Sequence, residues 1–197
     1  MFDPRSIAKS GGTITHTLPT REKITIESVL DHLRDEYELD KSSYAASKLS
    51  NALRGLIAAF GSLEDVKDKR ILDIACGCNG RTREVEATLR EKSFEPWLCR
   101  AIHFLGGHAF GVDFGSLKGE KFEFKMVNLL RPGSLDFLPD QSFDAVNCYM
   151  LFSSPQLYKM TSEDRVPQFI SEIKKQKARL LKLGGIELEF DTETQNR

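Results

Sequence analysis

The chain has 197 residues, 40% hydrophobic and 29% charged, a size and composition that suit one domain with a full apolar core. Its formal net charge of -1 removes any electrostatic case for nucleic acid or an anionic membrane as partner. No apolar run reaches the length of a membrane span, and MFDPRSIAKSGG lacks a signal-peptide core, so the expected location is cytoplasmic. Residues 1–21 show no helical period, and SGGTITHTLPT reads as a loop or extended arm. Ile26, Val29, Leu30, Leu33 and Tyr37 then recur at helical spacing. A second helix is predicted over 43–60, with Leu49, Leu53, Leu56, Ile57 and Phe60 on one face and Gly61 as its stop.

After these two helices the pattern alternates. Strands are predicted at 70–75, 109–113, 122–128, 143–149 and 186–190. Pro96 opens a helix carrying Leu98, Ala101, Ile102 and Leu105, which Gly106 and Gly107 close. A long helix joins the last two strands. Thr161 or Ser162 would cap it, Val166, Phe169, Ile170, Ile173, Leu180 and Leu181 would pack, and Gly184-Gly185 would end it. Its basic residues, Lys174, Lys175, Lys177, Arg179 and Lys182, read as a solvated face. The alternation predicts an α/β fold, a mainly parallel sheet with helices on both faces, whose ligands bind beyond the carboxyl ends of the strands. The expected layout is an arm or lid over 1–21 and one domain over 22–197, with a helical cap at 22–62 and a core at 69–191.

Two segments carry the chemistry. RILDIACGCNG is an apolar run ending on Asp73, followed by a turn of small residues through which backbone N–H groups can approach a ligand closely. HAFGVD is a second apolar run ending on an acid, Asp113, which suits the two hydroxyls of a ribose. Together they suggest a nucleoside ligand with a positively charged arm, such as S-adenosylmethionine. Asp113 follows Asp73 by 40 residues, where about 20 is usual between such acids. The surplus lies around 81–95. Right-handed crossover geometry puts Glu95-Pro96-Trp97 at the ligand edge, so 81–97 is expected to build part of the pocket wall, or else to be a surface insertion in which Trp97 only packs.

The four cysteines, Cys76, Cys78, Cys99 and Cys148, do not suit a disulfide framework, and a lone Cys-x-Cys with no second ligand pair does not suit a metal. Cys76 and Cys148 read as small core residues rather than nucleophiles. Asp144 reads as a structural residue at a strand start, and His103 and His108 fall at the edge of the sheet away from the ligand. His16, in the arm, is either a base or idle.

In order along the chain, ILDIACGCNG, HAFGVD, FKMVNLL, SFDAVNCYMLF and LLKLGGIELEF resemble the successive motifs of the class I S-adenosylmethionine-dependent methyltransferases, over about residues 70–190. The resemblance implies a Rossmann-like sheet of order 3-2-1-4-5. Departures are Ala75 and Asn79 at positions often held by glycine, Asn128 for an acid, Leu183 for a proline, and no counterpart of the family's last two strands. That leaves the fifth strand as an exposed edge, for a partner chain, a second copy, or ITHTL to cover, or marks the chain as a fragment of a longer one.

The resemblance implies that Asp73, Ala75, Cys76, Gly77, Asn79 and Gly80 line the methionine arm of S-adenosylmethionine. It further implies that Asp113 holds the ribose, that Phe114 and Leu129 sandwich adenine, that Asn128 reads the adenine edge, and that Cys148 lies by the methyl group. Glu95, Trp97, Tyr149, Ser153 and Ser154 are the substrate-side candidates, and no general base is assignable. A small-molecule acceptor is expected, because 153–155 lacks the Asn/Asp-Pro-Pro-aromatic motif of base-methylating enzymes. The two N-terminal helices and residues 1–21 would then form the lid that selects it. Two other readings stand beside this one: a non-catalytic cofactor-binding or subunit protein, and a nicotinamide-dependent oxidoreductase, which the missing G-x-G-x-x-G disfavours.

Overall fold

The structure is a computed structural model that describes residues 23–78, 95–148, 151–152, 157 and 160–188. Helix α1 (Ile26–Tyr37) starts at a reciprocal cap: the Thr25 side chain accepts from the Ser28 amide, and the Thr25 amide donates to Ser28 Oγ. Helix α2 (Tyr44–Phe60) is capped by Ser43, which accepts from the Ala46 amide at 3.2 Å, and stops at Gly61 with φ 98°. Both agree closely with the periodicity. Strand β1 (Arg70–Ile74) follows, then helix α3 (Trp97–Phe104), which begins directly after Pro96. Strands β2 (His108–Asp113), β3 (Glu123–Met126) and β4 (Phe143–Asn147) come next, then helix α4 (Val166–Leu180) and strand β5 (Leu181–Leu188).

The five strands form one sheet of order β3-β2-β1-β4-β5, and every pair is parallel. The α/β arrangement and the strand order are as expected. Two apolar clusters flank the sheet. On one face Leu49, Leu53 and Leu56 of α2, Val29 and Leu33 of α1, and Ile102 of α3 pack with Ile71, Ala109 and Ala145. On the other, Phe169, Ile173 and Leu180 of α4 pack with Leu72, Val112, Phe143 and Val146. In β1 and β2 alternate residues thus feed opposite layers, as a doubly covered sheet requires, whereas the irregularity between Phe143 and Ala145 puts those two residues of β4 in different layers. The two N-terminal helices, expected as a lid, have their apolar faces in the first of these layers. Residues 1–21 lie outside the described residues, as do residues 79–94, where most of the expected pocket wall falls.

Several boundaries need correction. Gly184-Gly185 does not end the last helix. The helix stops at Leu180, and both glycines fall inside β5, where the β4–β5 register shifts between Phe143 and Ala145. Glycine there loosens a strand that the pattern placed only from 186. Thr161 and Ser162 do not cap α4 directly: Glu163–Arg165 form a 3-10 turn first, and Pro167 stands in the first turn of α4. The third strand is shorter than 122–128. The basic face is not uniformly solvated either. Lys174 and Lys175 are exposed, but Lys177 is fully buried, ion-paired with Glu187 of β5 and 5.8 Å from the Phe152 ring. Arg179 clamps the preceding loop through the carbonyls of Leu138 and Leu135 and the carboxylate of Asp140. Asp144 accepts from the Arg70 amide and pairs with Lys182, each at 2.8 Å, the structural role expected of it.

Candidate functional site

The order β3-β2-β1-β4-β5 places the reversal of winding between β1 and β4, where open α/β sheets form a crevice at their carboxyl ends. Asp73 lies next to the end of β1 and Asn147 is the last residue of β4. They are register partners, and Asn147 Nδ2 donates to Asp73 Oδ1 at 2.6 Å. Among the described residues, the other Asp73 oxygen receives only the Cys99 thiol, at 3.7 Å. The Asp73 side chain is buried, and no cation pairs with it among the described residues. Burial pushes its carboxyl up to about 7, against the hydrogen bonds from Asn147 and Cys99, while the charge of Asp113 pushes the same way.

The turn after β1 is described as far as Cys78. Ala75 has φ 61° and Gly77 φ 100°, two left-handed residues bracketing Cys76. The Cys76 amide donates to the Val112 carbonyl at 3.1 Å, and the Gly77 amide to Asp113 Oδ2 at 3.0 Å. The turn is therefore fastened to the end of β2. Alanine in the left-handed region costs about 1–2 kcal/mol, of which glycine would return part to unfolded-chain entropy. Ala75→Gly is accordingly expected to stabilise the protein by about 0.5–1 kcal/mol. Urea unfolding of the variant checks this, and a loss of stability would mean that the Ala75 methyl makes packing contacts that outweigh the strain.

Asp113 ends β2, buried like Asp73, and also accepts from the Gly115 amide at 3.3 Å. Burial raises its carboxyl above the ordinary range, against hydrogen bonds from the Gly77, Gly115 and Phe114 amides. Below it, Gly111 is the register partner of Asp73. A Cβ there would sit 2.7 Å from Cys76 Sγ and 3.3 Å from Cys99 Sγ, so this glycine makes room for two thiols packed against the sheet. Cys99 stands well above the usual thiol range through burial. Its hydrogen bond with Cys99 pulls the Cys76 thiol down, but burial and the two carboxylates outweigh it. Cys78 is raised to about 11 by burial and by Asp113. All three favour the protonated form, consistent with packing rather than nucleophilic roles.

Other candidates are placed as follows. Phe114 is half-buried just beyond Asp113, Leu129 is half-buried against the α4-side cluster, and Cys148 is buried after β4. Asn128 is exposed, and its Oδ1 accepts from the Leu130 amide at 3.1 Å, so the expected adenine reader is engaged as a turn former. Trp97 is buried in the α1–α3 layer. Glu95 is tied to Arg100, which also forms a two-pronged contact with Glu120. Asn79, Gly80, Tyr149, Ser153 and Ser154 lie outside the described residues, as does His16.

Sequence reasoning missed three residues. Asn147 was read only as part of a strand. Arg100 and Glu120 were not singled out, although an arginine on the apolar face of a short helix was a usable signal. Among the described residues no group of three His, Cys, Asp or Glu side chains is arranged to hold a metal, and no helix is long and apolar enough to cross a membrane. No protein-family model and no curated protein matches this chain.

Proposed function

We propose that the chain binds S-adenosylmethionine at the carboxyl edge of β1, β2 and β4 and transfers its methyl group to a small-molecule acceptor. One observation carries the reading. Two carboxyl groups, Asp73 and Asp113, are buried at adjacent strand ends on either side of a left-handed turn, and neither has a cationic partner among the described residues. Burying a carboxylate without a partner is costly. A ligand that brings positive charge and hydroxyl donors to this edge relieves that cost. S-Adenosylmethionine carries an ammonium, a sulfonium and two ribose hydroxyls, so the residues present fit it.

The cofactor supplies a methyl group on a positively charged sulfur that is lost by in-line displacement. The protein's own contribution is to bind, orient and exclude water. Asp73 would accept from the ammonium, and the turn 75–77 would bring backbone close to the same arm. Asp113 would accept from the ribose hydroxyls. Its two oxygens have about four acceptor positions, of which the Gly77, Gly115 and Phe114 amides leave about one free. Phe114 would cover one face of the adenine.

The test is calorimetric titration with S-adenosylmethionine. Wild type is expected to bind it, and Asp113→Ala to lose about 1.5–3 kcal/mol of binding, the usual worth of hydrogen bonds to a charged group. Absence of binding to wild type would sink the reading. Unchanged affinity in Asp113→Ala would sink the ribose assignment alone.

A further inference from the structure

The sheet has two outer strands, β3 and β5, and among the described residues neither has a strand on its far side. They differ in regularity. On β5 the long run from Leu181 to Ile186 matches the single step from Phe143 to Ala145, and Gly184 within it has φ 76°. An interruption of this kind bends an edge away from further pairing. Strand β3 has none: Glu123 to Met126 keep one register with Phe110 to Asp113. The Val127 amide donates to the Asp113 carbonyl, so by the alternation of the strand Glu123 and Lys125 turn their backbone groups toward β2. Phe124 and Met126 therefore turn theirs outward, a row that templates another strand. The side chains alternate too. Phe122 and Phe124 lean on the α1–α3 layer, and Met126 beside them is 63% exposed. Glu123 and Lys125 are exposed and belong to the opposite face, where Lys125 Nζ lies 3.6 Å from the centroid of the Phe137 ring.

From this pattern we infer that β3 is the interface of a homodimer, in which two copies of the chain pair antiparallel about a two-fold axis at Phe124. With the axis there, Phe124 faces the partner's Phe124 and Phe122 faces the partner's Met126, and these pairs exchange the outward-turned N–H and C=O groups. Glu123 then falls opposite the partner's Lys125, and Lys125 opposite the partner's Glu123. These are the non-hydrogen-bonded positions, where opposed side chains stand closest. Charge selects this occupant. Charged residues on an edge ordinarily deter pairing, and a parallel, in-register copy would set glutamate on glutamate and lysine on lysine. The antiparallel copy sets opposite signs together twice. An axis at Met126 would instead oppose Lys125 to Val127, and one at Phe122 would call on Lys121, which precedes the strand and is ion-paired with Glu36. A surface complementary to itself is what a closed two-fold dimer requires. The carboxyl ends of the two sheets then point in opposite directions, so each copy keeps its own crevice and the inference is independent of the ligand.

The experiment is sedimentation equilibrium of the full chain over a concentration series. Wild type is expected to reach twice the mass of one chain. Glu123→Lys and Lys125→Glu each set like charges opposite one another at both positions, and each is expected to weaken the dimer about tenfold. Both side chains are exposed, so neither substitution touches the core. An equimolar mixture of the two variants brings an edge with two lysines against an edge with two glutamates, and it should recover a dimer as tight as wild type. The double variant Glu123→Lys/Lys125→Glu, which exchanges the signs, should also dimerise with itself. A wild type that stays monomeric at every concentration would overturn the inference. So would single variants that associate as tightly as wild type, which would put the interface on another surface. A mixture no more associated than its components would overturn the opposition of residues 123 and 125, and with it the axis at Phe124.

Discussion

Asp73→Asn is expected to make the ligand-free protein more stable at pH 8 and less able to bind a cationic ligand. The sign follows from the environment of the carboxyl. It stands at about 7 in the folded chain against 3.8 for an unperturbed carboxyl. A carboxyl raised by folding favours the protonated native state. Its contribution is fully present below about pH 4 and is lost as pH rises through about 7. Over that window the difference amounts to about 4 kcal/mol at most, since each pH unit of difference is worth about 1.4 kcal/mol. Asparagine keeps the shape and can still accept from Asn147 Nδ2, yet carries no charge to desolvate. Urea unfolding of ligand-free protein should therefore show the variant ahead by about 2–4 kcal/mol at pH 8, with the gap closing toward pH 5. Parallel curves for the two proteins across this range would mean that Asp73 is not desolvated as described. The same ionisation governs binding. An ammonium needs the carboxylate, so wild-type affinity for S-adenosylhomocysteine should rise as pH rises through about 7, with proton release on binding, and this dependence should disappear in Asp73→Asn. Native instability at this position is the cost of a ready acceptor.

Arg100→Met should produce the largest loss of stability. The Arg100 side chain is almost completely buried, and so is that of Glu120, which it grips through Nε at 3.1 Å and Nη2 at 2.7 Å. Its Nη1 reaches Glu95 at 2.5 Å, and the guanidinium lies 4.4 Å from the Tyr37 ring and 4.8 Å from that of Trp97. One side chain thus ties α1, the residue leading into α3, and the loop between β2 and β3. Removing it strands the Glu120 carboxylate in a buried site, which typically costs about 3–5 kcal/mol. For a chain of this length that is a fall in melting temperature on the order of 10 °C. The double variant Arg100→Met/Glu120→Leu should recover most of the loss, because an apolar pair of similar volume avoids desolvating either charge. A double variant as unstable as the single one would show that the arginine acts through ring packing and not through the carboxylates.

The architecture was legible because its signals are local. The Gly61 stop and the period of α1 and α2 each act within a few residues, and apolar runs ending in an acid mark β1 and β2. The placement of Asp73 and Asp113 at strand ends was legible for the same reason. What could not be read depends on distant partners. Nothing local distinguishes Lys177, buried against Glu187, from its exposed neighbours Lys174 and Lys175. The Oδ1 of Asn128, the position expected to read adenine, also accepts from the amide two residues on, a contact its position in the pattern does not announce. Asn147 ends a strand whose pattern gives no sign of its partner, and its contact with Asp73 appears only when parallel pairing sets the two side by side. The helix boundary at Leu180 escaped notice because Gly184-Gly185, normally a stop, here lies in a strand whose ladder slips.

The parallel pairing of β1 with β4 also bears on how the protein reaches its native state. The contact between Asp73 and Asn147 closes a loop of 74 residues, and each parallel pair in the sheet demands its own crossover. Such long-range closure carries entropic cost before its contacts form, and it slows folding relative to helical proteins of similar stability. Strand β1 is central in the finished sheet, so in a growing chain its β4 side stays uncovered until β4 has been synthesised. The junction of Asp73 with Asn147 is consequently assembled late, and under the proposed function ligand binding should report completion of the sheet.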